Sequence, residues 1–384
     1  MARLPRTVWL LGIASLLTDA STEAVYPLLP LFITTLGGGA VAVGLMEGLG
    51  ESIAAGLKFA SGRLSDRWQR RKGLTIFGYA FSALAKAGYP IAGRVLDVVL
   101  LRATDRVGKG IRGAPRDALL ADALPRERRG YGFGVHRALD TTGAFLGPLA
   151  ALLLLPLLSL RGIFAAAIIP AIAGVLVLFL IREPTPKAQT PQPNLNGKLP
   201  RAFYAYLLVI LVFTLGNFGY VFLLLQGAHL GIERLLEAQL VHTAVYALFA
   251  IPLGALTDRW GRPPILIAGF VALAGASLTA TADGDLVFFA AAALFGLANA
   301  AWEGNGRALA VDLAPDHLRG TALGAYHAAI GFVALPAGLA YGLLWALRPS
   351  LAFEVGAVFV LAAAMILAAL WIAKFLAPPP ASAS

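Results

Sequence analysis

The chain reads as a succession of long apolar runs separated by short polar breaks. A bilayer core about 30 Å thick is crossed by about 20 apolar residues at about 1.5 Å each. On that measure the pattern predicts twelve spans, near 8–35, 41–62, 74–93, 95–122, 131–157, 162–181, 203–230, 238–256, 264–282, 286–312, 320–346 and 351–375. One stretch breaks the hydropathy. REPTPKAQTPQPNLNGKLPR (182–201) holds five prolines and reads as a polar, semi-extended linker. It leaves six spans on either side. The expected organisation is therefore a six-helix bundle over 1–181, a linker over 182–202 and a second six-helix bundle over 203–376. The tail 377–384, APPPASAS, reads as disordered. The first apolar run extends well beyond a signal-peptide core and is followed by no small-residue cleavage site, so it counts as a span.

Composition points the same way. Of the 384 residues 58% are hydrophobic and only 14% charged, with a mean hydropathy of +0.75. Soluble domains carry about 25% charged residues, so a soluble surface cannot be made from this chain. The absence of cysteine excludes thiol nucleophiles and thiolate metal sites. The net charge of +10 would suggest nucleic acid in a soluble protein. Here it follows from topology. With the N-terminus inside, seventeen Lys and Arg of the loops and ends fall on the inner side and four, Arg94, Arg161, Arg234 and Arg348, on the outer side. Positive charge marks the cytoplasmic face, so both termini are expected in the cytoplasm of a multi-pass protein of the cytoplasmic membrane, with no nucleic-acid partner.

The chain contains a repeat. GRLSDRWQRRKGL (62–74) returns as GALTDRWGRPPIL (254–266), and ADALPRERRGYGFG (121–134) returns as VDLAPDHLRGTALG (311–324). Offsets of 192 and 190 residues, near half the length, imply a duplicated six-helix unit. The first pair, with Gly62, Asp66, Arg67 and Arg71 and then Gly254, Asp258 and Arg259, resembles the cytoplasmic-loop signature of the major facilitator superfamily. Gln69 departs from it where Gly is usual, and Pro263 and Pro264 follow the second copy. RATDRVGKG (102–110) is similar to the family's span 4 motif, with Asp105 and Arg106 in place of Gln and Gly. In span 5, Gly134, Gly143 and Gly147-Pro148 resemble the motif of the drug/proton antiporter branch, although Ala151 and Leu152 stand where a Gly pair would close it. The resemblance implies an all-α integral membrane fold of twelve helices in two pseudo-symmetric bundles, and a gate role for the loop residues. From the residues alone, Gly134, Gly143 and Gly147 allow close helix packing and Pro148 kinks its helix.

A charge at the centre of a span costs at least about 2.5–3.5 kcal/mol, so intramembrane charges mark function by default. Asp19 and Glu23 lie four apart on span 1. Glu47, Glu51 and Lys58 share one face of span 2, and Lys86 lies on span 3. Arg102, Asp105, Arg106, Lys109, Arg112 and Arg116 form one stripe of span 4, followed by Asp117, and span 5 carries His136, Arg137 and Asp140. The second half is sparser: Glu303 and Arg307 on span 10, with Asn217, Asn299, Asn305, His242 and His327. Eight acids stand against nine bases, a near balance that favours structural pairing for Glu47, Lys58, Lys86, Arg116, Asp117 and Asp140. The resemblance places spans 1, 4, 7 and 10 around a central cavity. It thereby assigns Asp105, Arg106, Lys109, Arg112, Asn217, Asn299, Glu303 and Arg307 to that cavity.

GKGIRG (108–113) matches a dinucleotide-binding pattern, but it follows no strand and lies in an apolar span, so its context excludes it. With no nucleotide site, no nucleophile–base pattern and no cofactor motif, the expected protein is not an enzyme and needs no cofactor. It is expected to be a monomeric secondary transporter working by alternating access on a small molecule and protons. Asp19 and Glu23 are its expected proton carriers. Export follows from the span 5 motif, and uptake of an organic anion or metal chelate is the alternative. Three Met and no Cys disfavour a soft metal, while carboxylates and His leave a hard or borderline ion open.

Overall fold

The computed structural model describes residues 4–68, 71–125, 128–182 and 198–376, without the side chains of 59, 62–68 and 316. The expected linker, apart from its ends, and the tail lie outside the described residues. Twelve helical units follow one another: α1 (Arg6–Thr35), α2 (Ala40–Trp68), α3 (Arg71–Gly88), α4 (Val95–Asp122), α5 (Arg129–Leu154), α6 (Leu160–Phe179), α7 (Arg201–Leu230), α8 (Ile232–Trp260), α9 (Arg262–Thr279), α10 (Asp285–Asp312), α11 (Arg319–Leu347) and α12 (Pro349–Ile372). No strand occurs among the described residues.

Every predicted span has its helix. The largest departure is α8, which begins at Ile232 and ends at Trp260, beyond the apolar run at both ends. Nine of the described helices are long and apolar enough to cross a bilayer. The other three, α3, α4 and α5, belong to the charged first half.

Two units are broken, each for a local reason. In α1, Pro27 and Pro30 remove backbone donors, and the chain passes through a single 3-10 turn at Tyr26–Leu28. In α7 the first segment stops at Asn217, whose backbone (φ −93°, ψ 45°) leaves the helical region before Gly219 restarts the helix. Prolines 115, 148, 170, 252 and 336 lie inside helices.

Packing follows the sequence repeat. In the first half α1 packs on α5 and α6, α4 on α2 and α3, and α3 on α6; in the second half α7 packs on α11 and α12, α10 on α8 and α9, and α9 on α12. Each contact has its counterpart six helices on. The repeat also recurs as an ion pair. Arg71 at the start of α3 pairs with Asp122 at the end of α4, and Arg262 at the start of α9 pairs with Asp312 at the end of α10, 2.5 Å apart.

The halves meet chiefly where α2 lies along α11 and α5 along α8. Gly44 and Gly48 of α2 approach Gly338 and Ala334 of α11 so closely that an added Cβ would strike a backbone carbonyl. The Ser52 hydroxyl donates to the Gly331 carbonyl at 2.6 Å and accepts from the Leu335 amide at 3.1 Å. Small residues let membrane helices close in on each other, because lipid supplies no hydrophobic drive. This seam uses the start of α2 and the end of α11, at the end of the molecule opposite both termini.

Candidate functional site

The charged stripe of α4 does not stay together. Gly108 abuts the Gly78 carbonyl and Ser82 of α3, and Gly110 abuts Leu57 and Ala54 of α2. These glycines, which mimic a dinucleotide motif, wedge α4 between two neighbours. Residues on the wedged faces are buried. Arg102 donates to both carboxylate oxygens of Glu47, at 2.9 and 3.2 Å, and Arg106 shares that carboxylate at 3.2 Å. Arg106 also pairs with Glu51 at 3.2 Å, while Asp105 pairs with Lys86 at 3.5 Å and Arg102 at 3.8 Å. The Arg102 guanidinium covers the Tyr26 ring at 4.7 Å. Arg102 is 2% exposed, Asp105 5% and Glu47 8%. Three acids and three bases thus neutralise one another between α2, α3 and α4.

Arg112 is buried too, donating to the Ser82 hydroxyl at 3.2 Å over the Tyr79 ring at 4.3 Å. The expected cavity placement is therefore not met by Asp105, Arg106 and Arg112, whose side chains turn into the first bundle. Lys109, on the face between the two wedge glycines, is exposed. The reason is azimuthal: helical spacing puts these residues on one broad stripe, but the wedge buries most of its width.

Asp19 and Glu23 part company as well. Gly143 and Gly147 of α5 bring that helix onto the Leu16 and Ala20 carbonyls of α1, on either side of Asp19. There the Asp19 carboxyl lies within hydrogen-bonding reach of the Asp140 carboxyl of α5. Asp140 also accepts from Ser15 at 2.5 Å and from Arg137 at 3.1 Å. Pro148 is buried beside this contact, whereas Gly134 meets open space and takes no part in it. Glu23 faces the other half and accepts from the Gln239 amide of α8 at 2.9 Å.

Arg137 continues the chain of contacts across the boundary. It reaches Tyr246 of α8 at 2.5 Å and Glu303 of α10 at 3.3 Å. Glu303 in turn meets Arg307 at 3.6 Å. Arg137 and Glu303 have side chains 48% and 38% exposed, so the gap they bridge is open to solvent. Nearby, Asn299 bonds the His242 ring at 3.1 Å and accepts from Trp302 at 3.0 Å. Tyr220 stacks on His242 and donates to Gln239 at 2.5 Å. Asn217 serves α7 as the residue where its helix breaks.

Of the loop residues, the side chains of Gly62, Asp66 and Arg67 lie outside the described residues. Arg71 is engaged with Asp122 inside its own half. Gly254 has nothing within reach of an added Cβ, and Asp258 and Arg259 are exposed at the end of α8. No group of three His, Cys, Asp or Glu placed to hold a metal occurs among the described residues.

Sequence reasoning missed Gln239 and Tyr246 and favoured a structural role for Asp140. A lone amide in an apolar run was the available signal for Gln239. Nothing in the sequence pairs Asp140 with a residue 121 positions away.

Comparison with known proteins agrees with this architecture. The Major Facilitator Superfamily model matches residues 11–241 and 235–384. An uncharacterised MFS-type transporter of Methanocaldococcus jannaschii is 34% identical over 95% of this chain and 94% of its own length. The multidrug resistance protein MdtG of Citrobacter koseri is 30% identical over 66% of this chain and 67% of its own length. Among solved structures, the nucleoside transporter NupG superposes with a TM-score of 0.77 at 14% identity, covering 96% of this chain and 100% of that one. A D-xylose–proton symporter superposes at 0.74 and 15% identity, covering 94% and 96%. Matched along nearly its whole length, the chain belongs to the major facilitator superfamily and is a multi-pass membrane transporter.

Proposed function

We propose that this transporter exports a small molecule in exchange for protons, as a monomer, by alternating access between its two bundles. The observation that carries the reading is the Asp19–Asp140 contact. Two carboxylates repel, and two carboxyl groups share a hydrogen bond only when one of them holds a proton. On this reading the pair holds one proton between its two carboxyl groups. Lys109 and Arg112 act on Asp19 from α4, and Arg137 and Ser15 hold Asp140. The antiporter-like spacing of Gly143, Gly147 and Pro148 supports export, because those residues build the contact. Similarity to a multidrug resistance protein supports the same direction.

Glu23 is the second carrier. Its partner Gln239 belongs to the other bundle, so separating the bundles at the end opposite the termini opens Glu23 to that side. Asp19 lies one helical turn closer to the termini, beside Asp140. With the termini cytoplasmic, rocking the bundles presents Glu23 to the outside and the Asp19–Asp140 pair to the inside. Lys109, Asn217, Asn299, Glu303 and Arg307 lie towards the cavity, and the loop elements around Asp66 and Asp258 act as the cytoplasmic gate.

The test uses inverted membrane vesicles from cells that over-produce the chain, energised acid inside and loaded with a pH-sensitive dye. Ethidium, benzoate and phenyl phosphate are added in turn. Proton release on adding one of them is the expected result, and Asp19→Asn should abolish it while leaving the protein in the membrane. Release that persists in the Asp19→Asn/Glu23→Gln double variant rules the carriers out.

A further inference from the structure

Lys58 and Lys109 stand apart from the other cations of the first half. Arg102, Arg106 and Lys86 are absorbed by Glu47, Glu51 and Asp105. Arg116 has Asp117, Arg137 has Asp140, and Arg112 has a hydroxyl and a ring. Among the described residues, the ammonium groups of Lys58 and Lys109 have neither an ion pair nor a hydrogen bond. They are neighbours: the Lys58 stem lies on α4 at Gly113, where an added Cβ would sit 4.0 Å from its Cγ, one turn beyond Lys109.

Across the boundary, Gly331 of α11 abuts Ala55 of α2. The two helices run antiparallel, so His327, one turn from Gly331, comes level with Lys58, one turn from Ala55. Of the acids nearby, Glu51 is engaged with Arg106, Glu303 with Arg137 and Arg307, Asp19 with Asp140 and Glu23 with Gln239. At about 1.5 Å per residue, Lys58 and Lys109 lie about 15 and 20 Å in from the helix ends on the side of the termini.

We propose that Lys58 and Lys109 of the first bundle, with His327 facing them from the second, form a clamp for the carboxylate or phosphate of an anionic substrate. The inference rests on the transport reading above and names its substrate class. Two neighbouring ammonium groups without a partner repel each other, and an anion placed between them turns that repulsion into attraction. The charge balance agrees. A proton shared by Asp19 and Asp140 leaves seven anionic charges against nine cationic ones in the spans. The excess resides where no partner is provided, and intramembrane charges of that kind mark a substrate path.

The experiment is thermal unfolding of the full-length protein in phosphatidylcholine nanodiscs at constant pH. The probes are benzoate, succinate, phenyl phosphate and inorganic phosphate, with tetraphenylphosphonium as the cationic probe. At least one anion should raise the melting temperature saturably, and the cation should not. K58Q/K109Q should lose that shift or weaken the anion at least tenfold. Its melting temperature without probe should equal or exceed that of the wild type, because repulsion has been removed. A shift by the cation alone, by none of the anions, or an anion shift undiminished in K58Q/K109Q overturns the clamp. So does phosphatidylglycerol, if adding it alone stabilises the wild type through the same two lysines and blocks the anions, since a lipid headgroup is then the occupant. Binding needs no proton flux. An anion shift that depends on the lysines, together with unaltered flux in the Asp19→Asn/Glu23→Gln variant, overturns the coupling reading alone.

Discussion

The Arg137 guanidinium of α5 lies 3.3 Å from the Glu303 carboxylate of α10, joining the two bundles through a contact that water can reach. Exposed ion pairs contribute about 0–1 kcal/mol. Such a pair biases a conformational balance without deciding whether the protein folds. Its other partner, Asp140, belongs to the proposed proton pair, so the state of that pair bears on how firmly Arg137 holds the second bundle.

Glu303→Gln should therefore leave the melting temperature nearly unchanged and shift the bundles towards opening on the side of the termini, where the pair lies. The chain has no cysteine, so a single Ala334→Cys reports on the seam, where Ala334 is 1% exposed. Maleimide labelling of that cysteine should fall severalfold in the Glu303→Gln background, in line with the loss of up to about 1 kcal/mol. Equal labelling in both backgrounds would show that the pair has no part in the balance.

Glu47→Gln should behave in the opposite manner. Glu47 accepts from two buried guanidinium groups. Removing one member of a buried ionic cluster costs about 3–5 kcal/mol, because a charge is left unpaired. A large drop in thermal stability is expected, with partial recovery in Glu47→Gln/Arg102→Met. A stable single variant would mean that water compensates Arg102.

The glycines of α5 separate by position. A Cβ at Gly147 would fall on the Ala20 carbonyl, whereas one at Gly134 meets nothing within 4 Å. Gly147→Ala should destabilise by about 1–3 kcal/mol through overpacking and lower proton-coupled flux, since it spreads Asp19 from Asp140. Gly134→Ala should be close to silent. Flux and melting temperature measured side by side test both, and equal effects at the two sites would contradict the packing described.

Asp140→Asn keeps the shape of the side chain and its capacity to hydrogen-bond Asp19, but removes the need for a shared proton. Flux driven by a pH gradient should be lost while exchange of labelled substrate at equal pH continues. Loss of both would assign Asp140 to binding or folding rather than to coupling.

The sequence by itself determined the twelve spans, because each helix in a bilayer must satisfy its own backbone and so writes a run of about 20 apolar residues into the chain. It also determined the duplication, since the two halves repeat the elements that start α3 and end α4, and that repeat reappears as Arg71–Asp122 and Arg262–Asp312. It located the charges along the chain, on α1, α2, α4 and α5. Tertiary structure alone decided where those charges point. Helical spacing puts Arg102, Arg106, Lys109 and Arg112 on one stripe, and Asp19 and Glu23 on one face, but spacing is a property of a single helix. Whether a face meets a neighbour or water depends on how helices are rotated against one another. Here glycines at 108 and 110 wedge α4 and bury Arg102, Arg106 and Arg112 while Lys109 stays open. Glycines at 143 and 147 draw Asp19 towards α5, and Glu23, one turn on, meets Gln239 of the opposite bundle.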